Sequence, residues 1–216
     1  MLSLLLVVKD TLGLALASAA HEKTEAAESF YNAHSSRFVQ HYGKVIQQCR
    51  AAPGNDTEEV RLMAMAAALE PGQRILENGC GVGGVMTELA SLLGATTTID
   101  GVTISKTEAE ATQQRVARPC PACAVHHRDY STPLPAAQVG QYSRVLFLDT
   151  TGYVHGGCDG FAMQAAAALA PGGRVYFKEQ CAVPRMSNAS IAVRKEVWHY
   201  QFRTCLLYTS PSPRDS

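Results

Sequence analysis

The stretch Glu77-Asn-Gly-Cys-Gly-Val-Gly-Gly84 decides the fold prediction for this chain. It directly follows a short strand pattern, 74–76, and directly precedes an apolar helical run, 85–93. A strand, a glycine-rich turn and a helix bring backbone N–H groups and the positive end of a helix dipole to the carboxyl edge of a sheet. Open α/β folds bind their ligands at that edge. The stretch therefore predicts a ligand-binding turn.

Beyond the turn, short apolar runs alternate with helical patterns along the chain. Strands are expected at 95–104, 124–127, 144–148 and 174–180, and helices at 83–93, 106–117 and 159–169. Buried strands that alternate with helices predict a parallel sheet covered on both faces. The expected fold class is therefore α/β, a doubly wound Rossmann-like sheet with a helical N-terminal extension.

The chain is expected to divide into three segments. Residues 1–70 form the helical extension, and residues 71–204 form the Rossmann-like core. The segment 205–216 changes character abruptly and looks like translated sequencing adapter, although a disordered Ser/Pro tail is the alternative. On the adapter interpretation, the core is incomplete and truncated after the fifth strand, and the chain is expected to be inactive by itself.

Charge and hydropathy narrow the range of partners. Nineteen basic residues balance nineteen acidic ones, so no net field attracts nucleic acid or an anionic membrane. The apolar opening Met1–Val8 is interrupted by Lys9 and Asp10. This interruption breaks the run of about 18 apolar residues that a membrane span needs. A packed helix and a targeting peptide both remain interpretations of this opening.

The cysteines favour a reducing compartment. Seven cysteines at irregular spacing do not form the dense framework of a small secreted protein, so a cytoplasmic location is expected. Cys120-Pro-Ala-Cys123 has the spacing of half a zinc site or of a redox pair, but no second such pair follows. An ordinary turn is the expectation there, and no metal site is predicted.

Two ligands compete for the glycine turn. Gly79-x-Gly81-x-x-Gly84 fits a dinucleotide pattern, whereas Glu77-x-Gly79-x-Gly81-x-Gly83 fits the acidic-glycine pattern of S-adenosylmethionine enzymes. The glycines alone do not decide between them. A dinucleotide turn normally keeps the position of Glu77 apolar, and a carboxylate there suits a cationic cofactor better than a diphosphate. Glu77, Gly79, Gly81 and Gly83 are therefore candidate cofactor-binding residues.

The second expected strand carries the most specific signal. Asp100 lies about twenty residues beyond the turn, where an acid can hold ribose hydroxyls in either fold. It is followed by Gly101-Val-Thr-Ile-Ser-Lys-Thr-Glu108. Together with the glycine turn, this segment resembles class I S-adenosylmethionine-dependent methyltransferases of the group that contains cyclopropane-fatty-acid synthases, sterol side-chain methyltransferases and geranyl diphosphate C-methyltransferases. The resemblance covers about residues 28 to 182.

The resemblance implies a cofactor and a set of residues that contact it. The cofactor is S-adenosyl-L-methionine, and the acceptor is a small isoprenoid, sterol or lipid-like molecule. Thr103 and Ile104 belong to the similar segment, and Glu108 replaces a Gln that is frequent there. Glu108 can accept hydrogen bonds from ribose hydroxyls but cannot donate them. Asp129 follows the third strand, where this superfamily commonly contacts the adenine amino group, although a surface-loop aspartate is the alternative.

Two aromatic segments look like the part of these enzymes that closes over the cofactor. They are Phe30-Tyr31-Asn32 and His41-Tyr42-Gly43. The resemblance implies that residues 1–70 act as a lid and that Tyr31 or Tyr42 places a ring or hydroxyl near the positive sulfur. Ordinary packing of an amphipathic helix is the alternative.

A further segment suggests a catalytic acid. Asp149-Thr-Thr-Gly-Tyr-Val154 looks like the Glu-Ser-Thr-x-Tyr-Val segment of geranyl diphosphate methyltransferases, whose Glu faces the substrate. Methylation of an alkene leaves a carbocation that a carboxylate can steady and deprotonate. Asp149 is the candidate for that role, with Tyr153 as its neighbour. The alternative is that Asp149 caps the following turn.

Two functions compete with methyl transfer. A nicotinamide-binding oxidoreductase would use the same glycine turn, but Glu77 and the segment from Gly101 to Ser105 fit it poorly. A degenerate cofactor-binding scaffold without catalytic activity is the third hypothesis.

Overall fold

The computed structural model describes residues 24–40, 43–45, 55–153, 159–179, 181–182 and 203–204. Its centre is a five-stranded sheet whose neighbours all pair in parallel, in the order β3-β2-β1-β4-β5. The strands are β1 (Arg74–Asn78), β2 (Thr98–Thr103), β3 (Ala124–His127), β4 (Tyr142–Leu148) and β5 (Leu169–Lys178). The strand order reverses between β1 and β4, which is where open α/β sheets form their ligand crevice.

Five helices accompany the sheet in the described part of the chain. They are α1 (24–40), α2 (Asp56–Ala66), α3 (Gly84–Leu93), α4 (Lys106–Val116) and α5 (Asp159–Ala168). Two 3-10 turns lie at Ala136–Gln138 and Thr151–Tyr153, and two short strands, β6 (Cys181–Ala182) and β7 (Arg203–Thr204), pair with each other.

Side-chain caps set the starts of two helices. The side chain of Asn55 accepts a hydrogen bond from the N–H of Glu58 and begins α2. Ser105 does the same for the N–H of Glu108 and begins α4. Each cap satisfies a backbone donor that has no partner within its own helix. The start of α4 is therefore fixed next to the end of β2.

Apolar side chains bury both faces of the sheet. Ile75 packs with α2 and α3, through residues such as Val60 and Leu89. Leu76, the next residue of β1, points the other way and packs with Phe147 and with Phe161 of α5. Fully burying one such side chain contributes about 1.5–3 kcal/mol. Helices on both faces of a parallel sheet confirm the predicted doubly wound Rossmann-like fold class.

Some element boundaries differ from the sequence predictions. β2 begins at Thr98 and not at 95, because Gly94 ends α3 with a positive φ of 79° and a turn follows. β5 begins at Leu169 and not at 174, so it includes residues 170–173, where Gly172 and Gly173 lie. An irregularity in the pairing between Tyr142 and Arg144 allows β4 and β5 to stay paired across these residues.

Cys120 and Cys123 form a disulfide in the loop between α4 and β3. The expectation of an ordinary turn was therefore wrong, since the two thiols are close enough to bond. Both side chains are buried against the start of β2, where Cys123 Sγ accepts a hydrogen bond from the N–H of Ile99. No helix among the described residues is long and apolar enough to cross a membrane.

Candidate active site at the carboxyl edge of the sheet

The glycine turn is fastened to the end of β2. The N–H groups of Gly79 and Cys80 both donate to the carbonyl of Val102, at 2.8 and 2.9 Å. Gly79, Gly81 and Gly83 have φ values of 78°, 52° and 74°, in the region that side chains disfavour. The alternating glycines of the sequence motif therefore mark three alternating positions at which the backbone is left-handed.

Side chains from α3 and α4 hold the carbonyls of the turn. Thr112 donates to the carbonyl of Gly81 at 2.8 Å, and Arg115 donates to the carbonyl of Val82. Thr87 donates to the carbonyl of Gly83, also at 2.8 Å. These contacts hold the turn from the side of α3 and α4.

The glycines of the turn have different neighbours. A Cβ on Gly79 would lie 2.7 Å from Cβ of Thr150, and a Cβ on Gly84 would lie 2.9 Å from the backbone nitrogen of Val45. Both positions are therefore filled by the protein itself. A Cβ on Gly81 would meet only an oxygen of Glu108, at 3.9 Å. Gly81 is thus the position at which a ligand can approach the backbone.

Glu77 is a buried carboxyl group without a protein partner. Its side chain is 0% exposed, and neither oxygen has a hydrogen-bond partner among the described residues. Burial raises the pKa of Glu77 to about 8, because the charged form is deprived of water. A positively charged ligand group beside Glu77 would lower the pKa again and supply the missing partner. The residue at this position therefore fits a cationic cofactor better than a diphosphate.

Glu108 is the acid that lies beside Gly81. Its Oε1 accepts from Ser35 at 2.5 Å, and its Oε2 accepts from Thr103 at 2.7 Å. Burial raises the pKa of Glu108, and the hydrogen bonds from Ser35 and Thr103 oppose that shift. Sequence analysis missed Ser35, because a single serine within a helical pattern carries no distinctive spacing. Its only signal is that it lies on the same helix as the aromatic residues of the proposed lid.

Helix α1 lies along the carboxyl end of β2 and β3. Four polar residues on one face of α1 make the contacts: Thr24 with Asp129 (3.4 Å), Glu28 with His127 (3.0 Å), Asn32 with Ser105 (2.7 Å) and Ser35 with Glu108 (2.5 Å). Their spacing matches the helical repeat, so a single face of α1 covers this rim. Whether α1 acts as a lid stays a prediction.

The aromatic residues expected in the lid are only partly described. Tyr31 lies in α1 with its ring centroid 5.4 Å from that of Phe30 and 6.4 Å from that of Phe38. These contacts fit the packing alternative as well as the lid. Tyr42 lies outside the described residues.

The structure does not bring Asp100 to the glycine turn. Its Oδ2 accepts from Arg74 at 3.0 Å and from Tyr142 at 2.6 Å. Arg74 and Tyr142 are the first residues of β1 and β4, so this carboxylate faces the amino half of the sheet. The prediction that Asp100 reaches the ribose site is corrected accordingly. The acid beside the turn is Glu108, which is contributed by α4.

Asp149 lies at the carboxyl edge, directly after β4. It has a φ of 59°, which is uncommon for a residue other than glycine, and its N–H donates to the carbonyl of Lys178 at 2.6 Å. Oε1 of Glu179 accepts from the N–H groups of Thr150 and Thr151, at 3.1 and 2.9 Å. The turn after Asp149 is therefore held by the residue that follows β5, a role that sequence analysis did not assign.

The remaining predicted residues lie around this edge. The carboxylate of Asp129 accepts from the N–H and the hydroxyl of Ser131, both at 2.7 Å, so it stabilises its own turn. The carbonyl of Ile104 pairs with Nε2 of His127 at 2.9 Å. Tyr153 ends the second 3-10 turn, and only its backbone is described. No group of side chains suited to a metal ion occurs among the described residues.

Comparisons with known proteins point to one family. The family model described as a methyltransferase domain matches residues 57–212. No curated protein sequence matches the chain significantly.

Solved structures show the same fold. A Haemonchus contortus phosphoethanolamine N-methyltransferase 2, bound to phosphomonomethylethanolamine and S-adenosylhomocysteine, superposes with a TM-score of 0.66 at 17% identity over 82% of this chain. The geranyl diphosphate C-methyltransferase of Streptomyces coelicolor, bound to Mg²⁺, geranyl-S-thiolodiphosphate and S-adenosylhomocysteine, superposes with a TM-score of 0.64 at 17% identity over 86%. This chain spans 40% of the length of the first protein and 76% of the second.

Proposed function

Because this chain belongs to the methyltransferase domain family, we propose that it methylates a carbon of a small isoprenoid, sterol or lipid-like acceptor. The family match confirms the predicted methyltransferase domain, and S-adenosylmethionine as its cofactor is supported by the likeness to two structures bound to S-adenosylhomocysteine. The choice of a carbon acceptor is supported by the likeness to geranyl diphosphate C-methyltransferase and by the similar sequence segments. The activity of the whole protein is part of the proposal.

The observation that carries the proposal is the carboxyl group of Glu77. It is buried without a hydrogen-bond partner and lies immediately before the turn in which Gly81 is open. Two opposite unit charges 4 Å apart attract each other by about 4 kcal/mol at an intermediate dielectric constant. A cationic cofactor gains this attraction once Glu77 releases its proton, which costs about 1.4 kcal/mol for each pH unit below its pKa of about 8, whereas the pyrophosphate of a dinucleotide gains no such attraction. The arrangement therefore favours the methyltransferase over the oxidoreductase.

The cofactor would lie along the turn, between two acids. Glu77 would face its positively charged end, and the backbone of the turn from Gly79 to Gly83 would lie beneath it, with the closest approach at Gly81. Glu108 would accept from the ribose hydroxyls, with Thr103 holding the second carboxylate oxygen in place. When bound, S-adenosylmethionine supplies an electrophilic methyl group on a sulfonium. The protein orients the acceptor and keeps water away from the reacting atoms.

Asp149 is the proposed catalytic base. It lies at the same edge of the sheet, and Thr150, the residue after it, packs against Gly79 of the cofactor turn. A carboxylate there can steady the cation formed on a methylated alkene and then accept a proton from the adjacent carbon. Tyr153, on the same 3-10 turn, is the proposed neighbour of the acceptor.

Two measurements test this function. Calorimetric titration with S-adenosylmethionine and with NADH should show binding of the former only, and Glu77→Gln should weaken the binding of S-adenosylmethionine about tenfold or more. Glu70→Gln, a charge removal at an exposed residue nearby, is the matched control. Binding of NADH alone would favour the oxidoreductase and overturn the proposal.

The second measurement is methyl transfer. Transfer of labelled methyl from S-adenosylmethionine to geranyl diphosphate or to a lipid extract should occur with the wild type and fall at least about a hundredfold in Asp149→Asn. Cofactor binding without transfer to either acceptor would favour the scaffold hypothesis.

A further inference from the structure

We propose that Thr150 is a positioning residue, held by Tyr130 and Glu179, that fixes Asp149 relative to the cofactor turn. This inference rests on the proposed function, in which Asp149 is the catalytic base. Neither the sequence motifs nor the comparisons assign a role to Thr150, Tyr130 or Glu179.

Thr150 is the residue at which the loops of the carboxyl edge meet. It lies after β4, and its N–H donates to Oε1 of Glu179, which follows β5, at 3.1 Å. Its carbonyl accepts from the hydroxyl of Tyr130, which lies after β3, at 2.7 Å. Its side chain packs against Gly79, which follows β1. Loops that follow four of the five strands are therefore joined at one residue, which is 6% exposed.

The backbone of Asp149 is held on both sides. Its N–H donates to the carbonyl of Lys178 at 2.6 Å, and the next N–H, that of Thr150, donates to Glu179. Because peptide groups are planar, these two bonds orient the peptide planes on either side of Asp149 and so fix its φ and ψ. Its φ of 59° lies in a region that persists only when surrounding contacts hold it. A shift of Thr150 would therefore redirect the side chain of Asp149.

Tyr130 can hold Thr150 firmly because its ring is packed against the core. The ring lies edge to face with that of Phe147, at a centroid distance of 5.6 Å, and Phe147 is buried. The hydroxyl of Thr150 also donates to the hydroxyl of Tyr130, at 3.2 Å. A phenol donates one hydrogen bond and accepts another, so both bonds form together. Tyr130 thus contacts the backbone and the side chain of Thr150.

The contact with Gly79 connects Thr150 to the cofactor turn. The N–H of Gly79 donates to the carbonyl of Val102 at 2.8 Å, so this end of the turn is fixed to β2. A Cβ on Gly79 would overlap the side chain of Thr150, so the two residues approach closely. Packed contacts therefore set the separation between the turn and Asp149. Misplacement of a reacting group by about 1 Å can lower a rate about a hundredfold.

The test compares Tyr130→Phe with Tyr142→Phe. Each change removes a hydroxyl that donates a hydrogen bond, from Tyr130 to Thr150 and from Tyr142 to Asp100 in the amino half of the sheet. Labelled methyl transfer to geranyl diphosphate or to the lipid extract, at saturating S-adenosylmethionine, should be at least about tenfold slower in Tyr130→Phe. Its Kd for S-adenosylhomocysteine should stay within about threefold of the wild type. Tyr142→Phe should lose stability but keep the rate within about twofold.

A double substitution separates positioning from general structural damage. If Tyr130 acts through Asp149, adding Tyr130→Phe to Asp149→Asn should lower the residual rate by less than about twofold, because the carboxylate is already gone. A loss as large as in the wild-type background would overturn the inference, since Tyr130 would then act independently of Asp149.

Glu179 provides a second comparison. Glu179→Ala removes the acceptor of the N–H groups of Thr150 and Thr151 and should slow transfer at least about tenfold. Glu179→Gln keeps a side-chain oxygen that can accept from both groups, so its rate should return to within about threefold of the wild type. Equal losses in the two variants would overturn the role assigned to Glu179.

The outcomes separate the inference from the proposed function. An unchanged rate in Tyr130→Phe, or an equal loss in Tyr142→Phe, would overturn the inference alone if the wild type is active and Asp149→Asn is impaired. Weaker cofactor binding in Tyr130→Phe, with a normal rate at saturation, would also overturn it alone. If the wild type transferred no methyl, or if Asp149→Asn matched the wild-type rate, the assignment of Asp149 and the inference would both be overturned.

Discussion

Gly84 and the carbonyl of Lys44 lie so close together that Gly84 has no room for a side chain. A Cβ on Gly84 would overlap the carbonyl oxygen of Lys44 and lie 2.9 Å from the backbone nitrogen of Val45. The side chain of Val45 is 1% exposed and belongs to the core cluster that contains Leu89. The backbone at Lys44 and Val45 therefore packs directly against the start of α3.

Gly84→Ala should lower stability. Glycine to alanine in a helix normally adds about 0.5–1 kcal/mol of stability. Here the new methyl group must displace the backbone at Lys44, which should cost about 1–3 kcal/mol. Chemical denaturation checks the sign, with Ser91→Ala on the exposed side of the same helix as the control. A stabilised Gly84→Ala variant would contradict the close approach.

Gly79→Ala and Thr150→Ala should be energetically coupled. A Cβ on Gly79 would collide with the side chain of Thr150, so removing that side chain should relieve part of the damage. We expect a coupling of at least about 1 kcal/mol in a double-mutant cycle. The positive φ of 78° leaves a remaining cost that Thr150→Ala does not relieve. Strict additivity of the two changes would show that the side chains do not meet.

Glu77 should make stability fall as pH rises. Burial raises its pKa from a usual value of 4.5 to about 8, so above pH 4.5 the native state keeps a proton that the unfolded chain releases. The contribution is complete below the unfolded pKa and is lost between about pH 4.5 and 8, at up to about 1.4 kcal/mol per pH unit. Urea denaturation across this range should give a flatter profile for Glu77→Gln than for the wild type.

The control for this pH profile is Glu70→Gln, which removes an exposed carboxylate. Burial also raises the pKa of Glu108, so the informative quantity is the difference between the wild type and Glu77→Gln. Parallel profiles for these two proteins would contradict a buried, unpartnered Glu77.

Substitution of Asp100 should lower stability, whereas substitution of Glu108 should change cofactor affinity. Asp100→Asn weakens a partly buried hydrogen bond from Arg74 and a buried one from Tyr142 and should cost about 1–3 kcal/mol of stability, with little change in affinity for S-adenosylhomocysteine. Glu108→Gln should instead change that affinity, because Glu108 lies beside Gly81. Denaturation and titration of both variants check the contrast. A large loss of affinity for S-adenosylhomocysteine in Asp100→Asn, without one in Glu108→Gln, would instead indicate that Asp100 binds the ribose.

Residues near the turn were predictable from sequence because local chemistry fixes them. Glycines after a strand and an acid before them act within a few positions of one another. Ser35 and Glu179 were not predictable, because their partners Glu108 and Thr150 lie far away in the chain. Asp100 was misplaced for a related reason, since spacing identified its strand but not the end of the sheet that its side chain faces.

The position of β1 between β2 and β4 sets an order of events during translation. Ile75 pairs with Ile99, which emerges from the ribosome soon afterwards, and with Arg144, which emerges much later. The hydrogen bonds from Gly79 and Cys80 to Val102 can form soon after β1 is synthesised. The contact between Gly79 and Thr150 can form only after β4 has also been synthesised. We therefore expect a nascent chain to form the contacts of the glycine turn with β2 first. The contact of the turn with Thr150 should form only when β4 joins the sheet.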